Sequence, residues 1–317
     1  MMKDKLAEYR EEINALLSEV YTSGPESLIQ PVQYVLAGGG KRLRPLLTLI
    51  TADTCCGNAN IAMPAAIAVE VLHNFTLVHD DIMDDDVIRH GQPTVHEKWD
   101  VGSAILTGDA MVSLALKMLL KSENNPRELL TIFTEGLLRV CEGQALDKEF
   151  ETRDNVTIAE YVQMIDLKTG HLLGLAAELG AISSNASPSV HTAMRDYARL
   201  VGRAFQVQDD LLEVYSDSAK MGKSLKSDLF LNKKTYLMLQ AVSYDASATD
   251  SAIQTAKTNH EDGLNLLREL LDSSGIKKET TAFIDDTIKS ADDILRSLEI
   301  NTDKLHFFSS IITNRKN

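Results

Sequence analysis

The chain has 317 residues, enough for one large domain or two ordinary ones. Asp plus Glu total 46 against 32 for Lys plus Arg, and the resulting net charge of −14 excludes a general nucleic-acid binder, which needs a basic face. A small anionic ligand is not excluded, since it needs only a local basic cluster.

The three cysteines, Cys55, Cys56 and Cys141, make no metal-binding spacing and fit a reduced interior. The opening Met-Met-Lys-Asp-Lys-Leu-Ala-Glu is too charged for a signal peptide, and no apolar stretch reaches membrane-spanning length without interruption. We therefore expect a cytoplasmic protein with no transmembrane segment.

In chain order, Leu6, Tyr9, Ile13, Leu16, Leu17 and Val20 recur at helical spacing, and Gly24-Pro25 ends that helix. A second helix is expected to follow Pro31 and to stop at Gly38-Gly39-Gly40. Further helices are expected over roughly 46–56, 61–85, 102–121, 126–150, 157–181 and 189–216, then near 234–246, 248–273, 277–299 and 302–314. Thr157 and Glu160 form a capping box at the start of one of them. Nothing alternates with period two for long enough to make a strand, and there is no internal repeat or linker. The expectation is a single all-α domain over 1–317.

Chemistry concentrates at the end of one helix. The apolar run from Ile61 to Val78 is interrupted only by Glu70, His73, Asn74 and Thr76, and it leads into Asp80, Asp81, Asp84, Asp85 and Asp86. Asp80 and Asp84 share a helical face at i and i+4, where like charges repel, and acidic residues at a helix C-terminus also oppose the dipole. Two unfavourable effects on a buried helix argue for a bound divalent cation over a merely solvated acidic end. Asp209, Asp210 and Glu213 repeat the acidic spacing on a second apolar helix.

Basic segments lie around these clusters in sequence. Lys41, Arg42 and Arg44 follow three glycines, either as a phosphate-binding loop or as a helix break with exposed cations. Arg89 sits in a turn directly after the aspartates, placed to reach a phosphate whose metal lies on Asp80 and Asp84. Lys168 interrupts an apolar helix, where a lysine often snorkels to solvent. The stretches Gly222 to Asp228 and Asn232 to Tyr236 are rich in lysine. Since Mg²⁺ binds few carboxylates and completes its shell with water and phosphate oxygens, two facing acidic clusters among cations and apolar walls imply a diphosphate with a hydrocarbon tail.

These residues resemble the trans-isoprenyl diphosphate synthases, or polyprenyl synthetases, across roughly 30–240. The family's Asp-Asp-x-x-Asp matches Asp80, Asp81 and Asp84, and its Gly-Gly-Lys-Arg-x-Arg-Pro matches Gly39 to Pro45. Gly143-Gln144 with Asp147, Lys168-Thr169-Gly170, Phe205-Gln206 with the second acidic motif, and the loop lysines follow in the family's order. A lone first motif would also suit a terpene cyclase; the second Asp-Asp and the basic motifs favour the synthases.

The resemblance implies an isoprenoid-synthase helical bundle around a deep central cavity, usually a homodimer. It implies that Lys41, Arg44 and His73, with His90 in place of the family's second Arg, bind isopentenyl diphosphate. Arg89, Lys168, Thr169, Gln206, Lys223 and Lys233 would bind the allylic diphosphate. Asp80, Asp84 and Asp209 would hold Mg²⁺, three ions in all with substrate bound, with Asp81 and Asp210 assisting. Metal and cations stabilise charge on the leaving diphosphate, and a dry cavity brings the allylic cation to the isopentenyl double bond before water reaches it. In the family the proton is then lost to the released diphosphate.

The chain departs from the family at Arg89-His90-Gly91, where Arg-Arg-Gly is usual, at Glu213 in place of Asp, and at Lys226 and Asn232 in place of Gly. His90 is expected either to weaken isopentenyl diphosphate binding or to make it depend on His90 protonation. Phe75, five positions before Asp80, is large and Thr76 beside it small. In the family a bulky residue there blocks chain growth, so geranylgeranyl diphosphate is the first product expectation and farnesyl diphosphate the second. Alternative readings are a weakly active or regulatory subunit of a heteromeric synthase, a metal phosphohydrolase built on His79-Asp80, and a di-iron bundle suggested by Glu70 and His73.

Overall fold

The computed structural model describes residues 2–215 and 234–313. Its helices are α1 (Met2–Ser18), α2 (Glu26–Ala37), α3 (Leu43–Cys56), α4 (Met63–Met83), α5 (Val95–Lys98), α6 (Val101–Leu119), α7 (Pro126–Thr152), α8 (Ile158–Ile165), α9 (His171–Ser183), α10 (Pro188–Tyr215), α11 (Tyr236–Tyr244), α12 (Ala246–Thr258), α13 (His260–Ser273), α14 (Ile276–Arg296) and α15 (Asp303–Thr313). A 3₁₀ turn (Ala59–Ala62) leads into α4, and a π-helical segment (Asp166–Gly170) joins α8 to α9. Among the described residues the only strands are β1 (Ile88–Arg89) and β2 (Gln92–Pro93), an antiparallel pair. The fold is all-α, as the periodicity predicts.

The elements differ from expectation at several points; the helix expected over 157–181, for one, is divided into α8 and α9 by the π-helical segment. Helix α2 begins at Glu26 and carries Pro31 inside it, where the ring forfeits one backbone bond without ending the helix. The helix expected over 248–273 is two helices, because the Asn259 side chain accepts from the backbone of Glu261 and Asp262 and caps α13 afresh. The hairpin has strands too short to show any alternation. Helix α4 stops at Met83 instead of reaching 85: Asp86 N–H bonds to Asp81 O and Asp84 N–H to Asp80 O, around Asp85 at φ 53°. This is a Schellman closure with an aspartate at the left-handed position. The capping box of α8 is present, with Thr157 and Glu160 bonded reciprocally.

The chain divides into two compact units. The first comprises Met1–Leu137, Leu172–Arg195 and Arg296–His306. Its core is built on α4, whose Ala65, Ala66, Ala68, Val69, Val71 and Leu72 are fully covered, and on α9, buried from Leu172 to Ser183. Helix α9 can pack backbone-close on α3 because residue 180 is Gly; a Cβ there would lie 2.3 Å from Thr48 O. In the same unit Lys5 of α1 and Lys304 of α15 both reach the Asp53 carboxylate at 2.8 Å. Burial works against that charge, but hydrogen bonds from Lys304 and Lys5 outweigh it and hold Asp53 below its usual range.

The second unit comprises Leu138–His171, Asp196–Leu295 and Phe307–Asn317. One apolar cluster gathers Phe150, Tyr161, Met164, Ile165, Val207 and Tyr236, and another gathers Val214, Leu237, Ala241, Ala252, Leu267 and Leu271.

Two stretches, Ala59–Met83 and Val101–Leu119, are long and apolar enough to cross a membrane by length and composition, where the sequence count of polar interruptions had found none. The apolarity of the first follows from its place at the core, its most apolar window being 67% buried. The second is less covered, with Val101, Ile105 and Leu106 exposed.

Candidate functional site

In the first unit the chain crosses from α2 to α3 through Gly39 and Gly40 at φ 80° and 111°, followed by Arg42 at φ 51°. That turn drives the Arg42 side chain inward. Its Nη1 donates to Glu70 Oε1 at 2.7 Å, its Nε to Asn14 Oδ1 at 2.9 Å, and its Nη2 to Leu36 O at 2.8 Å. Arg42 is thus a buried strut, where the sequence suggested an exposed or phosphate-binding cation. Lys41 beside it is exposed.

Arg44, two residues on, meets the same helix one turn later than Arg42: its Nη1 lies 3.0 Å from His73 Nε2. A guanidinium can only donate, so His73 Nε2 accepts and the imidazole proton sits on Nδ1. Burial, with the positive charge of Arg44 next, holds His73 well below its ordinary pKa, and burial brings Arg44 down to about 10. Two donors are left over: Arg44 Nε and His73 Nδ1 are buried without any hydrogen-bond partner. Buried unpaired donors are costly, and an anion would satisfy both. Glu70 and His73 are therefore committed to arginines, which removes the basis for a di-iron reading.

At the end of α4, Asp80 and Asp84 are half-buried, while Asp81 is only 4% exposed and is engaged by Arg89. Arg89 also reaches Asp86 Oδ2 at 3.3 Å. The β1–β2 hairpin that carries Arg89 turns through His90 at φ 51° and Gly91 at φ 77°, and it is pinned where Tyr34 Oη donates to Pro93 O at 2.7 Å. The sequence placed Arg89 on a phosphate; here it bonds the acidic motif itself. Leu77, Val78 and Val95 line an apolar cleft, partly open to solvent, together with Asp81, Arg89 and His90. His79 packs edge-on against Phe75, ring centroids 4.7 Å apart, and its Nε2 lies 3.4 Å from Ile105 O, over the space that Gly108 leaves open. Phe75 and Thr76 are half-buried, with Thr76 Oγ1 bonded back to His73 O.

In the second unit the π-helical segment inserts its extra residue at Lys168-Thr169-Gly170, a local irregularity that marks many functional sites. Lys168 Nζ donates to Asp147 Oδ2 at 2.6 Å, so it does not merely snorkel. Gly143 makes room for this segment; a Cβ there would fall 2.4 Å from Lys168 N. Thr169 Oγ1 donates to Gln206 Oε1 at 3.2 Å. Asp166 is held by Arg199 at 2.5 Å and Arg203 at 3.3 Å. Gln144, 8% exposed, has neither amide atom bonded.

Asp210 mirrors Asp81. It is 5% exposed, and burial raises its pKa to about 6 despite three donors. Tyr161 Oη donates to its Oδ2 at 2.5 Å, Tyr236 N–H to the same oxygen at 3.0 Å, and Gln206 Nε2 to Oδ1 at 3.4 Å. Asp209 and Glu213 are half-buried. In each acidic pair, then, the second carboxylate is sunk and engaged by another element. No local pattern marks Tyr161 as the partner, since a tyrosine on an apolar helix reads as core. The predicted Lys223, Lys226, Asn232 and Lys233 lie outside the described residues.

Among the described residues no three His, Cys, Asp or Glu side chains assemble a ready-made metal cage. The donors at hand are carboxylate oxygens, the hard ligands Mg²⁺ takes in small number while water and phosphate supply the rest. The set fits a magnesium ion that arrives with a diphosphate.

Residues 25–271 match the pattern of the polyprenyl synthetase family. The chain is similar to a geranylgeranyl diphosphate synthase of Methanosarcina mazei, 40% identical over 242 residues that cover 75% of each chain. It is similar to a geranylfarnesyl diphosphate synthase of Natronomonas pharaonis, 39% identical over 264 residues and 76% of each chain. Among solved structures it resembles a geranylgeranyl pyrophosphate synthetase from Pyrococcus horikoshii, with a TM-score of 0.91 and 31% identity, across 99% of this chain and 98% of that one.

Proposed function

Because the chain belongs to the polyprenyl synthetase family and is a trans-prenyltransferase, we propose that it condenses isopentenyl diphosphate with an allylic diphosphate in a Mg²⁺-dependent reaction. The product of this reading is a short all-trans prenyl diphosphate, geranylgeranyl diphosphate first and farnesyl diphosphate second. The supporting observation is the pair of buried, unpartnered donors on Arg44 and His73. His73 lies on the helix that ends in the acidic motif, and seven residues of α-helix rise about 10.5 Å between it and Asp80. An anion cradle and a carboxylate pair two turns apart suit two diphosphates held close without sharing a site.

In this reading Arg44 and His73, with Lys41 and His90, hold isopentenyl diphosphate. Neutral His73 donates from Nδ1 and Arg44 from Nε. Arg89, Lys168, Thr169, Gln206, Lys223 and Lys233 serve the allylic diphosphate, and Asp80, Asp84 and Asp209 hold the metal, with Asp81 and Asp210 in support. Bound magnesium supplies charge stabilisation for the departing diphosphate. The apolar side chains around the motifs keep water from the reacting carbons. The whole of 1–317 is read as one catalytic domain, which is supported by unit boundaries that fall within the continuous helices α7 and α10.

Relatives at nearly equal identity bear names of different product lengths, so overall similarity does not set the product here. Phe75 does so in our reading. Purified protein should be incubated with Mg²⁺, labelled isopentenyl diphosphate and dimethylallyl, geranyl or farnesyl diphosphate. Geranylgeranyl diphosphate that disappears on chelation is the expected result, and Phe75→Ala should shift the distribution to longer chains. An unchanged distribution would leave Phe75 as packing alone. No condensation with any primer would overturn the reading in favour of a subunit that needs a partner.

We also infer a homodimer. Val101, Ile105 and Leu106 leave an exposed apolar face on α6, suited to a second copy. Sedimentation equilibrium should return twice the chain mass, and a monomer at micromolar concentration would remove the inference.

A further inference from the structure

Within the second unit a hydrogen-bonded chain runs from α8 through α10 to the π-helical segment. Tyr161 Oη donates to Asp210 Oδ2 at 2.5 Å, Gln206 Nε2 donates to Asp210 Oδ1 at 3.4 Å, and Thr169 Oγ1 donates to Gln206 Oε1 at 3.2 Å. Tyr236 N–H, at the start of α11, closes on Asp210 Oδ2 at 3.0 Å. Tyr161 and Asp210 are 3% and 5% exposed. Both carboxylate oxygens of Asp210 are therefore committed to protein donors inside the core.

Resting on the function read above, we propose that Tyr161 is a positioning residue: it anchors Asp210 as an internal strut, so that metal binding in the pair falls to Asp209, and through Gln206 it orients Thr169 in the diphosphate-binding segment. The acceptor order decides the geometry. Gln206 spends its amide N–H on Asp210, which leaves its carbonyl as the acceptor for Thr169. If Asp210 were free to rotate, the amide would lose the contact that fixes which way it faces, and the Thr169 hydroxyl would lose its direction. Three donors, from α8, α10 and α11, meet on this one carboxylate. A hydroxyl shared with a charged acceptor is among the stronger hydrogen bonds available for such a task.

Two isosteric replacements test the proposal in the full-length protein by steady-state kinetics at varied Mg²⁺ and substrate. Tyr161→Phe removes only the hydroxyl. It should raise the allylic KM and the half-saturating Mg²⁺ concentration by about tenfold each, the effect of one charge-assisted hydrogen bond. The isopentenyl KM should stay within about twofold, because Arg44 and His73 belong to the other unit. A purely structural tyrosine would lower thermal stability or kcat and leave both constants unmoved, and that result overturns the proposal.

Asp210→Asn covers the case in which Tyr161→Phe fails to fold. Its side-chain carbonyl can keep the Tyr161 and Tyr236 donors, and a flipped Gln206 amide can accept from its NH₂. Its Mg²⁺ requirement should stay within about twofold of wild type, while Asp209→Asn raises it by about tenfold or more. An equal rise in both variants would make Asp210 a ligand and sink the strut. Absence of condensation in the wild type with every primer would instead fault the function reading itself.

Discussion

Replacing Glu70 with alanine is expected to destabilise the fold by about 3–5 kcal/mol, the scale for breaking a buried ion pair and stranding one of its charges. The Arg42 and Glu70 side chains are 3% and 5% exposed, so water cannot take over from the missing partner. Arg42 would keep its bonds to Asn14 and Leu36 O, but a guanidinium needs a counter-charge as well as acceptors. Asn74 also reaches the Glu70 carboxylate, its Nδ2 lying 3.5 Å from Oε1. Urea unfolding followed by circular dichroism measures the loss. Arg42→Met combined with Glu70→Leu should recover much of it, since an apolar pair leaves no charge behind. A single-variant effect below about 1 kcal/mol would place the pair in the class of screened surface bridges.

Asp80→Asn is expected to lower kcat/KM by about a hundred- to a thousandfold, the range seen when a group stabilising transition-state charge is removed. Asp80 sits one turn from Asp84 near the C-terminal end of α4, a spacing that sets the two carboxylates on one helical face. Circular dichroism should show the fold unchanged, so that the loss reads on function. Activity within about tenfold of wild type would take Asp80 out of the metal site.

The helical architecture is legible in the sequence because the apolar repeat and the stop signals are local. Thr157 and Glu160 show this at a single helix start, where two side chains three positions apart suffice. The acidic and basic motifs are legible for a similar reason, as short patterns. What each member does depends on contacts distant in sequence. Arg42 and Arg44 look alike as letters, yet one is spent on Glu70 and the other leaves a donor open beside His73. Asp80 and Asp81 are likewise adjacent, and burial beneath Arg89 of the hairpin sets Asp81 apart. The π-helical segment has no signature in its residues; it becomes visible once Asp166 is seen clamped to Arg199 and Arg203, and Lys168 to Asp147. Tyr161 was hidden among the apolar residues because only the partner 49 positions later reveals its role.

The double grip on Asp53 bears on how the chain is made. Lys5 lies 48 residues before that carboxylate and Lys304 lies 251 after it. As the polypeptide leaves the ribosome, the first lysine can dock as soon as α3 emerges, whereas the second arrives only after most of the first unit has had time to condense. Asp53 therefore waits through synthesis with one cation of two, and the late lysine closes a long-range contact of the slow kind. A copy released early would carry this mark of incompletion, a buried carboxylate with half its counter-charge. Acid would reproduce the lesion in the finished protein. Because the folded carboxyl lies below its unfolded value of 3.8, the grip is fully present above that value and is lost as the pH falls through the folded one.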